Sequence, residues 1–295
     1  MNKVLVIVVT YNGMKWVDRC FGSLRASEVP VDVIAVDNGS TDGTQQHLRD
    51  EYPEVKLVET GKNLGFGRAN NIGFRHALQN GYDFVYLLNE DAWVMPDTLG
   101  KLIDSFPNSR YGILSPMQMS ASMEEMDPRF KKHCGDAVAK DGGIVDVRFV
   151  MAAHWMISAE CLRAVGGFSP TFKHYGEDEN YIHRARYHGF KVGVVKDSFA
   201  VHDRARRKDS RLTSLKLKRV SCLVRLSDPN NDLPTEAIYQ PVRLIAMGIK
   251  NLSMFLLGSV PHLISKYPDI FLNRRISFSD GAFLDAASDQ QEDCS

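Results

Sequence analysis

The 295-residue sequence lacks the features that mark several protein classes. Its five cysteines, Cys20, Cys134, Cys161, Cys222 and Cys294, are odd in number and scattered. With no CxxC pair and no Cys/His ligand spacing, they argue against a disulfide framework and against structural zinc. An excess of one charge is also missing. Lys plus Arg and Asp plus Glu both total 36, so no global field draws the chain to nucleic acid. Long apolar runs are absent as well. MNKVLVIVV at the start is apolar too briefly for a signal peptide and passes straight into patterned sequence, so it reads as a first buried strand. The stretch 244–264, LIAMGIKNLSMFLLGSVPHLI, is interrupted by Lys250, Asn251 and Pro261 and makes a poor membrane span. No internal repeat is visible. A reduced, cytoplasmic setting is the expectation, and an apolar content of 44% is enough for a packed core.

What is present is alternation. Short β-branched runs at Lys3–Val9, Val31–Val36, Val55–Glu59, Phe84–Leu88 and Ile113–Met119 read as strands. Between them, Met14–Leu24, Thr44–Tyr52, Arg68–Leu78 and Pro96–Phe106 carry helical spacing. Strands alternating with helices predict an α/β fold with a mostly parallel central sheet and ligands at the strand C-terminal ends. The pattern loosens over Ser120–Val145 and resumes as a strand at Val147–Ile157, then a helix at Ala159–Val165. Residues 176–202 predict a helix and two short strands, Val192–Val195 and Phe199–Val201. A composition shift after His202 places a boundary near 203. It divides an α/β domain, 1–202, from a helical region, 203–284, and a disordered tail, 285–295.

The unusual residues gather in the loops after the predicted strands. DNGSTDGT (37–44) has the residues of a tight turn and a helix N-cap. A plain connection explains it as well as a ligand site does, except that Asp37 ends a buried run where a nucleobase N–H could be received. In KNLGFGRANNIG (62–73), Gly65 and Gly67 give half of a dinucleotide fingerprint. Small residues there let backbone approach a ligand, and Arg68 can pair with phosphate. NEDA, at the end of the Phe84 strand, reads either as a polar turn or as a metal site for a phosphate-bearing substrate. Glu177, Asp178 and Glu179 open a helix, where acids complement the macrodipole without any function. The functional alternative is a general base at a cleft rim. His202 closes a strand-like run as a candidate metal ligand.

As a set, VVTYNG, VDNGSTDGT, NLGFGRANNIG, LLNEDAWV, VGGF and GEDENYIHRARYHGF resemble the family-2 glycosyltransferases of the GT-A fold, over residues 3–202. The NLGFGRANN loop is most similar to the rhamnosyltransferase-like branch. The resemblance implies an inverting hexosyl- or deoxyhexosyltransferase. Its donor would be a nucleoside-diphosphate sugar and its acceptor a hydroxyl of a glycan or lipid-linked saccharide, in cell-surface polysaccharide assembly. Thr10, Tyr11 and Asn12 would then border the base, with Asp37 on its N–H and Asn38 and Ser40 flanking. Gly65, Gly67 and Arg68 would approach ribose and diphosphate. Asn89, Glu90 and Asp91 fall at the Asp-x-Asp position, with Asp91 and His202 as ligands of Mg²⁺ or Mn²⁺. Asp178 would be the base and Glu177 its neighbour. His154 and Trp155 are candidates for acceptor contact.

Two rivals are weaker. A sugar-nucleotide pyrophosphorylase would want a Gly-rich, basic loop directly after the first strand, and TYNGMKW is not one. A non-catalytic nucleotide-sugar-binding or partner protein is favoured by Asn89 and opposed by the Glu177–Asp178 pair. Beyond 203, Arg204, Arg206, Arg207, Lys208 and Arg211 precede apolar helical patterns. These predict helices packed on the core or in a homodimer, or else a peripheral contact with the inner face of a membrane.

Overall fold

A computed structural model describes residues 2–107, 109–140, 143–204 and 210–284. The predicted alternation is present: β1 (Val4–Thr10), α1 (Val17–Arg25), β2 (Asp32–Asp37), α2 (Thr44–Glu51), β3 (Lys56–Glu59), α3 (Phe66–Gln79) and β4 (Phe84–Asn89). Strands β3, β2, β1 and β4 pair in parallel, with Thr10 opposite Asp37 and Val9 opposite Asn89. That register brings three strand ends to one rim. Successive side chains of β1 point to opposite faces. Val4, Val6 and Val8 pack with Val17, Phe21 and Leu24 of α1. Leu5 and Ile7 pack with Ala69, Phe74 and Ala77 of α3. Burying each such side chain contributes about 1.5–3 kcal/mol, so the β-branched run specifies a strand covered on both sides. Helix α3 sits so close that a Cβ on Gly73 would lie 2.4 Å from an Ile7 methyl carbon.

The chain continues through β5 (Ala92–Val94), α4 (Thr98–Asp104), β6 (Tyr111–Met119), α5 (Pro128–Val138), β7 (Ile144–Asp146) and β8 (His154–Ser158). Helices α6 (Ala159–Val165) and α7 (Glu177–Tyr187) then lead to β9 (Lys191–His202). The sheet order is β3-β2-β1-β4-β8-β6-β9-β5, with β7 beside β9. Parallel pairing holds over the first four strands and between β6 and β9, while β8, β5 and β7 run antiparallel to their neighbours. The sheet is therefore mixed beyond β4.

Three local expectations change. The strand expected over 147–157 is only β8; Val147, Val150 and Met151 are buried as irregular backbone, and apolar spacing does not separate that from a strand. The two short strands after 191 are one, β9, whose pairing to β6 jumps from Val195 to Phe199. The loosely patterned segment holds α5, started by Asp127, which accepts from the backbone N–H groups of Arg129 and Phe130 at 2.9 Å, with Pro128 following.

After β9 come α8 (Arg211–Ser227), α9 (Leu233–Lys250), α10 (Met254–Ser265) and α11 (Tyr267–Ile276). They share an apolar cluster of Cys222, Leu226, Leu244, Leu256, Leu263 and Ile270. This bundle rests on the sheet domain through α7. His183 Nδ1 lies 3.2 Å from Asp228 Oδ2, and Asn230 donates to the His183 carbonyl at 2.9 Å. Arg206, Arg207, Lys208 and the tail expected to be disordered lie outside the described residues. No described helix is long and apolar enough to cross a membrane.

Candidate active site

The β1 and β2 ends are laced into one polar floor. Asp37 Oδ2 accepts from Thr10 Oγ1 at 2.7 Å and from Ser40 Oγ. Its Oδ1 accepts from Gly39 N at 3.0 Å, Ser40 N at 2.8 Å and Gln45 Nε2 at 2.6 Å. Burial pushes the carboxyl up, but the bonds from Gln45, Ser40 and Thr10 outweigh it and hold Asp37 below its ordinary 3.8. Five protein donors fill its acceptor positions, so a nucleobase N–H would have to displace one of them. Asn12, at a φ of 55°, donates its backbone N–H to Ser40 Oγ at 2.9 Å and accepts from Thr41 N at 2.8 Å. Asn38 accepts from Leu64 N at 3.3 Å, tying the floor to the NLGFG loop, and Tyr11 is exposed beside it.

In that loop the glycines answer to packing. A Cβ on Gly65 would lie 2.8 Å from the Lys173 carbonyl oxygen, and one on Gly67 would lie 2.8 Å from Phe168 Cβ. Gly67 is buried in this contact, so its smallness is needed for packing against Phe168. Arg68 is half-buried in the first turn of α3.

The NED turn divides into three roles. Asn89 ends β4 and donates its backbone N–H to the Ala153 carbonyl at 3.1 Å. Glu90 accepts from Tyr11 N at 2.8 Å and lies over Gly13, where a Cβ would come within 2.1 Å of its Oε2. Asp91 points inward, 1% exposed, with Oδ1 3.3 Å from His202 Nε2. The β5–β9 ladder sets this pair, since Ala92 faces His202 and Asp203 N donates to the Asp91 carbonyl at 2.8 Å. Among the described residues neither His202 ring nitrogen finds a hydrogen-bond partner although the ring is 2% exposed. A buried imidazole without a hydrogen bond, beside a carboxylate, suits a hard divalent cation completed by phosphate oxygens and water. Among the described residues no three of His, Cys, Asp and Glu gather into a full protein cage.

Helix α7 brings the second carboxylate pair. It starts after Tyr175 (φ 67°) and Gly176 (φ 91°), a left-handed step that turns its N-terminus inward. Asp178 is half-buried and accepts from Glu179 N at 2.8 Å, and the Ala152 N–H also favours its charged form. Loss of solvent raises its pKa, while those N–H groups and the charge of Arg204 pull it back. Glu177 is buried, with Oε2 lacking a hydrogen bond among the described residues; burial, then the Asp178 charge, raise its carboxyl well above 4.5.

His154 and Trp155, the candidates for acceptor contact, present no surface to a ligand in this structure. Both are wholly buried in β8. His154 Nδ1 lies 2.8 Å from Tyr86 Oη and Nε2 lies 3.0 Å from the Val201 carbonyl, so Nε2 carries the proton and the Tyr86 hydroxyl donates. Burial, then the neighbouring His202, lower its pKa to about 3, leaving it neutral. Trp155 Nε1 donates to the Val150 carbonyl at 3.2 Å. The side-chain pattern also passed over Gln45 and Asp203. Asp203 additionally accepts from Trp16 Nε1 at 3.2 Å, and its place directly after His202 was the available signal.

Residues 5–160 match the sequence profile of glycosyl transferase family 2, and the chain belongs to that family. It is 38% identical over 131 residues to an N-acetylglucosaminyl-diphospho-decaprenol L-rhamnosyltransferase of Mycobacterium tuberculosis. That match spans 40% of this chain and 42% of the relative's length. The fold is similar to S. aureus TarS 1-349 in complex with UDP-GlcNAc, with a TM-score of 0.61 at 17% identity, over 92% of this chain and 81% of that one. It is also similar to the mannosyltransferase PcManGT of Pyrobaculum calidifontis in complex with GDP-Man and Mn²⁺. There the TM-score is 0.60 at 17% identity, over 94% and 86% of the two chains. These structural likenesses extend over the C-terminal helices as well as the sheet.

Proposed function

We propose that the protein is an inverting, metal-dependent glycosyltransferase. It moves a hexose or deoxyhexose from a nucleoside-diphosphate sugar to a hydroxyl of a glycan or lipid-linked saccharide in cell-surface polysaccharide assembly. The observation that carries this reading is the buried pair of Asp91 and His202, with Oδ1 3.3 Å from Nε2, together with the Asp178 carboxyl raised by loss of solvent at the start of α7. The rhamnosyltransferase relative, which acts on a diphospho-decaprenol acceptor by its name, supports the deoxyhexose and the lipid-linked class.

Thr10, Tyr11, Asn12, Asp37, Asn38 and Ser40 form the floor for the nucleoside, with Arg68 on the side of the diphosphate. Asp91 and His202 would hold Mg²⁺ or Mn²⁺, which when bound offsets charge on the departing nucleoside diphosphate. The remaining chemistry falls to the chain itself. Asp178 takes the proton from the acceptor hydroxyl as that oxygen attacks the anomeric carbon. Attack opposite the leaving group inverts the configuration. A carboxylate whose pKa is raised from 3.8 is a better proton acceptor than an ordinary aspartate and is still ionised near neutrality.

A thermal-shift panel of dTDP-, UDP- and GDP-sugars with and without Mn²⁺, followed by donor-hydrolysis assays of the stabilising ones, tests the reading. A metal-dependent shift with one nucleotide class, together with slow donor turnover, is expected. Stabilisation without any turnover, to acceptor or to water, would favour a non-catalytic nucleotide-sugar-binding protein.

A further inference from the structure

The outer surface of α9 and α10 leaves much apolar side chain in water. On α9, Ile238, Val242, Ile245 and Ile249 follow at four-, three- and four-residue spacing, which aligns them on one helix face. All four are exposed, Ile238 by 74% and Ile249 by 64%, while Gln240, Leu244 and Gly248 are buried. The stripe runs into the turn to α10, where Leu252 (89%) and Met254 (79%) are the most exposed large apolar side chains described. Leu252 holds a φ of 47°, a region that disfavours residues with a Cβ. The turn therefore accepts strain at a residue whose side chain gains nothing from packing.

Cations surround this apolar tip. Arg211 donates to the Asn251 carbonyl at 3.1 Å, Lys218 Nζ donates to Asn251 Oδ1, and Lys250 is exposed next to it. Residues 210–227 and 237–268 contain eight Lys or Arg and no Asp or Glu; Arg225 pairs with Glu236 and Lys266 with Asp269 just outside these stretches, away from the 250–254 turn in sequence. We propose that the α9–α10 surface, led by the Leu252–Met254 turn, docks the protein on an anionic lipid surface. An apolar wedge enters the acyl boundary while adjacent cations meet the headgroups. A second copy of the chain is a poorer occupant, because a twofold contact through this tip sets Lys250, Arg211 and Lys218 against their own like charges. The inference stands apart from the donor-site reading and holds whichever sugar is transferred.

The test is flotation of the full chain with phosphatidylcholine vesicles, with and without phosphatidylglycerol. Binding is expected with phosphatidylglycerol, weakening as salt rises, and about tenfold weaker in Leu252→Asp/Met254→Asp. A Leu252→Trp variant, which keeps an apolar tip, should blue-shift its fluorescence on anionic vesicles. This second readout still decides the matter if the double variant fails to fold. No flotation and no blue shift would overturn the proposal. So would a concentration-dependent dimer in light scattering that Ile245→Asp abolishes, which would give the surface to a second copy.

Discussion

Asp91 Oδ1 stands 3.3 Å from His202 Nε2 at the ends of β4 and β9, with both side chains almost wholly buried. The main chain sets this approach, through the Ala92–His202 pairing and the bond from Asp203 N to the Asp91 carbonyl. Removing either side chain leaves that framework in place, so the pair can be tested for binding without losing the fold.

Asp91→Ala is expected to lose the metal-dependent part of nucleoside-diphosphate binding, and His202→Ala a smaller share. A ligand at about 100 times its Kd stabilises the folded state by about 2.7 kcal/mol. The wild type should gain that much from a matching nucleoside diphosphate with Mn²⁺, and Asp91→Ala almost none, measured by denaturant midpoints. An undiminished Mn²⁺-dependent gain in Asp91→Ala would remove it from the ligand set.

Asp178→Asn should lower kcat by roughly 10²–10⁴-fold, the usual contribution of a positioned base, while nucleotide affinity stays within about twofold. The wild-type pH profile supplies a second readout. Loss of solvent raises the Asp178 pKa from 3.8, and the base works only when ionised. Activity should therefore fall as pH drops through a value above the ordinary aspartate range. An acid limb at or below 3.8, or wild-type turnover in the variant, would exclude Asp178 as the base.

The first four strands were legible because their β-branched runs lie on both faces of one sheet, and Thr10, Asp37 and Asn89 come to a common rim through simple parallel register. Asp91 and His202 were legible as polar residues closing apolar runs. The partners of buried polar groups were not. His154 was a candidate for acceptor contact because its hydrogen-bond partners, Tyr86 and Val201, come from other strands and are invisible locally. The glycines of the NLGFG loop suggested ligand approach, yet the atoms that approach Gly65 and Gly67 belong to Lys173 and Phe168. The bond from Asn89 N to the Ala153 carbonyl joins backbone groups, which leave no trace in a side-chain pattern.

Glu177 should make the fold less stable as pH rises. Burial, then the Asp178 charge, raise its carboxyl from 4.5, so the folded chain keeps a proton that the unfolded chain releases. Between the unfolded and folded values the unfolded state binds fewer protons, and stability falls with increasing pH. Glu177→Gln removes that ionisation. The variant should gain on the wild type by on the order of 1–3 kcal/mol, the penalty of a buried group lacking its partner, with the difference growing from pH 5 to pH 8. A pH-independent difference in urea midpoints would contradict this.

Gly13 and Glu90 should act as a unit. A Cβ at residue 13 would lie 2.1 Å from Glu90 Oε2, the atom that accepts from Tyr11 N. Gly13→Ala must push that carboxylate away and lose the bond, and Glu90→Ala removes both clash and bond. The double-mutant cycle is expected to show coupling of about 0.5–3 kcal/mol, with Gly13→Ala nearly neutral once Glu90 is gone. Additive effects would mean that Glu90 does not hold the TYNG loop.

Arg184 links the stability of the fold to the position of α7. It is fully buried, and its partners are carbonyls rather than carboxylates: Val165 O at 2.8 Å, Gly167 O, and the side-chain oxygen of Asn180 at 3.2 Å. Its guanidinium also lies over the rings of Tyr181 and Phe283. Burial lowers its pKa to about 10, so it is still charged at neutral pH. A planar fork fits this divided set of acceptors and a lysine ammonium does not. Arg184→Lys should therefore cost about 1.5–3 kcal/mol, the scale of one lost hydrogen bond to a charged group. Because the same bonds hold the 165–167 turn against the helix that begins at Glu177, turnover should fall in the folded fraction while Mn²⁺-dependent nucleotide binding persists. Equal losses in both would place the effect on the whole domain and not on α7.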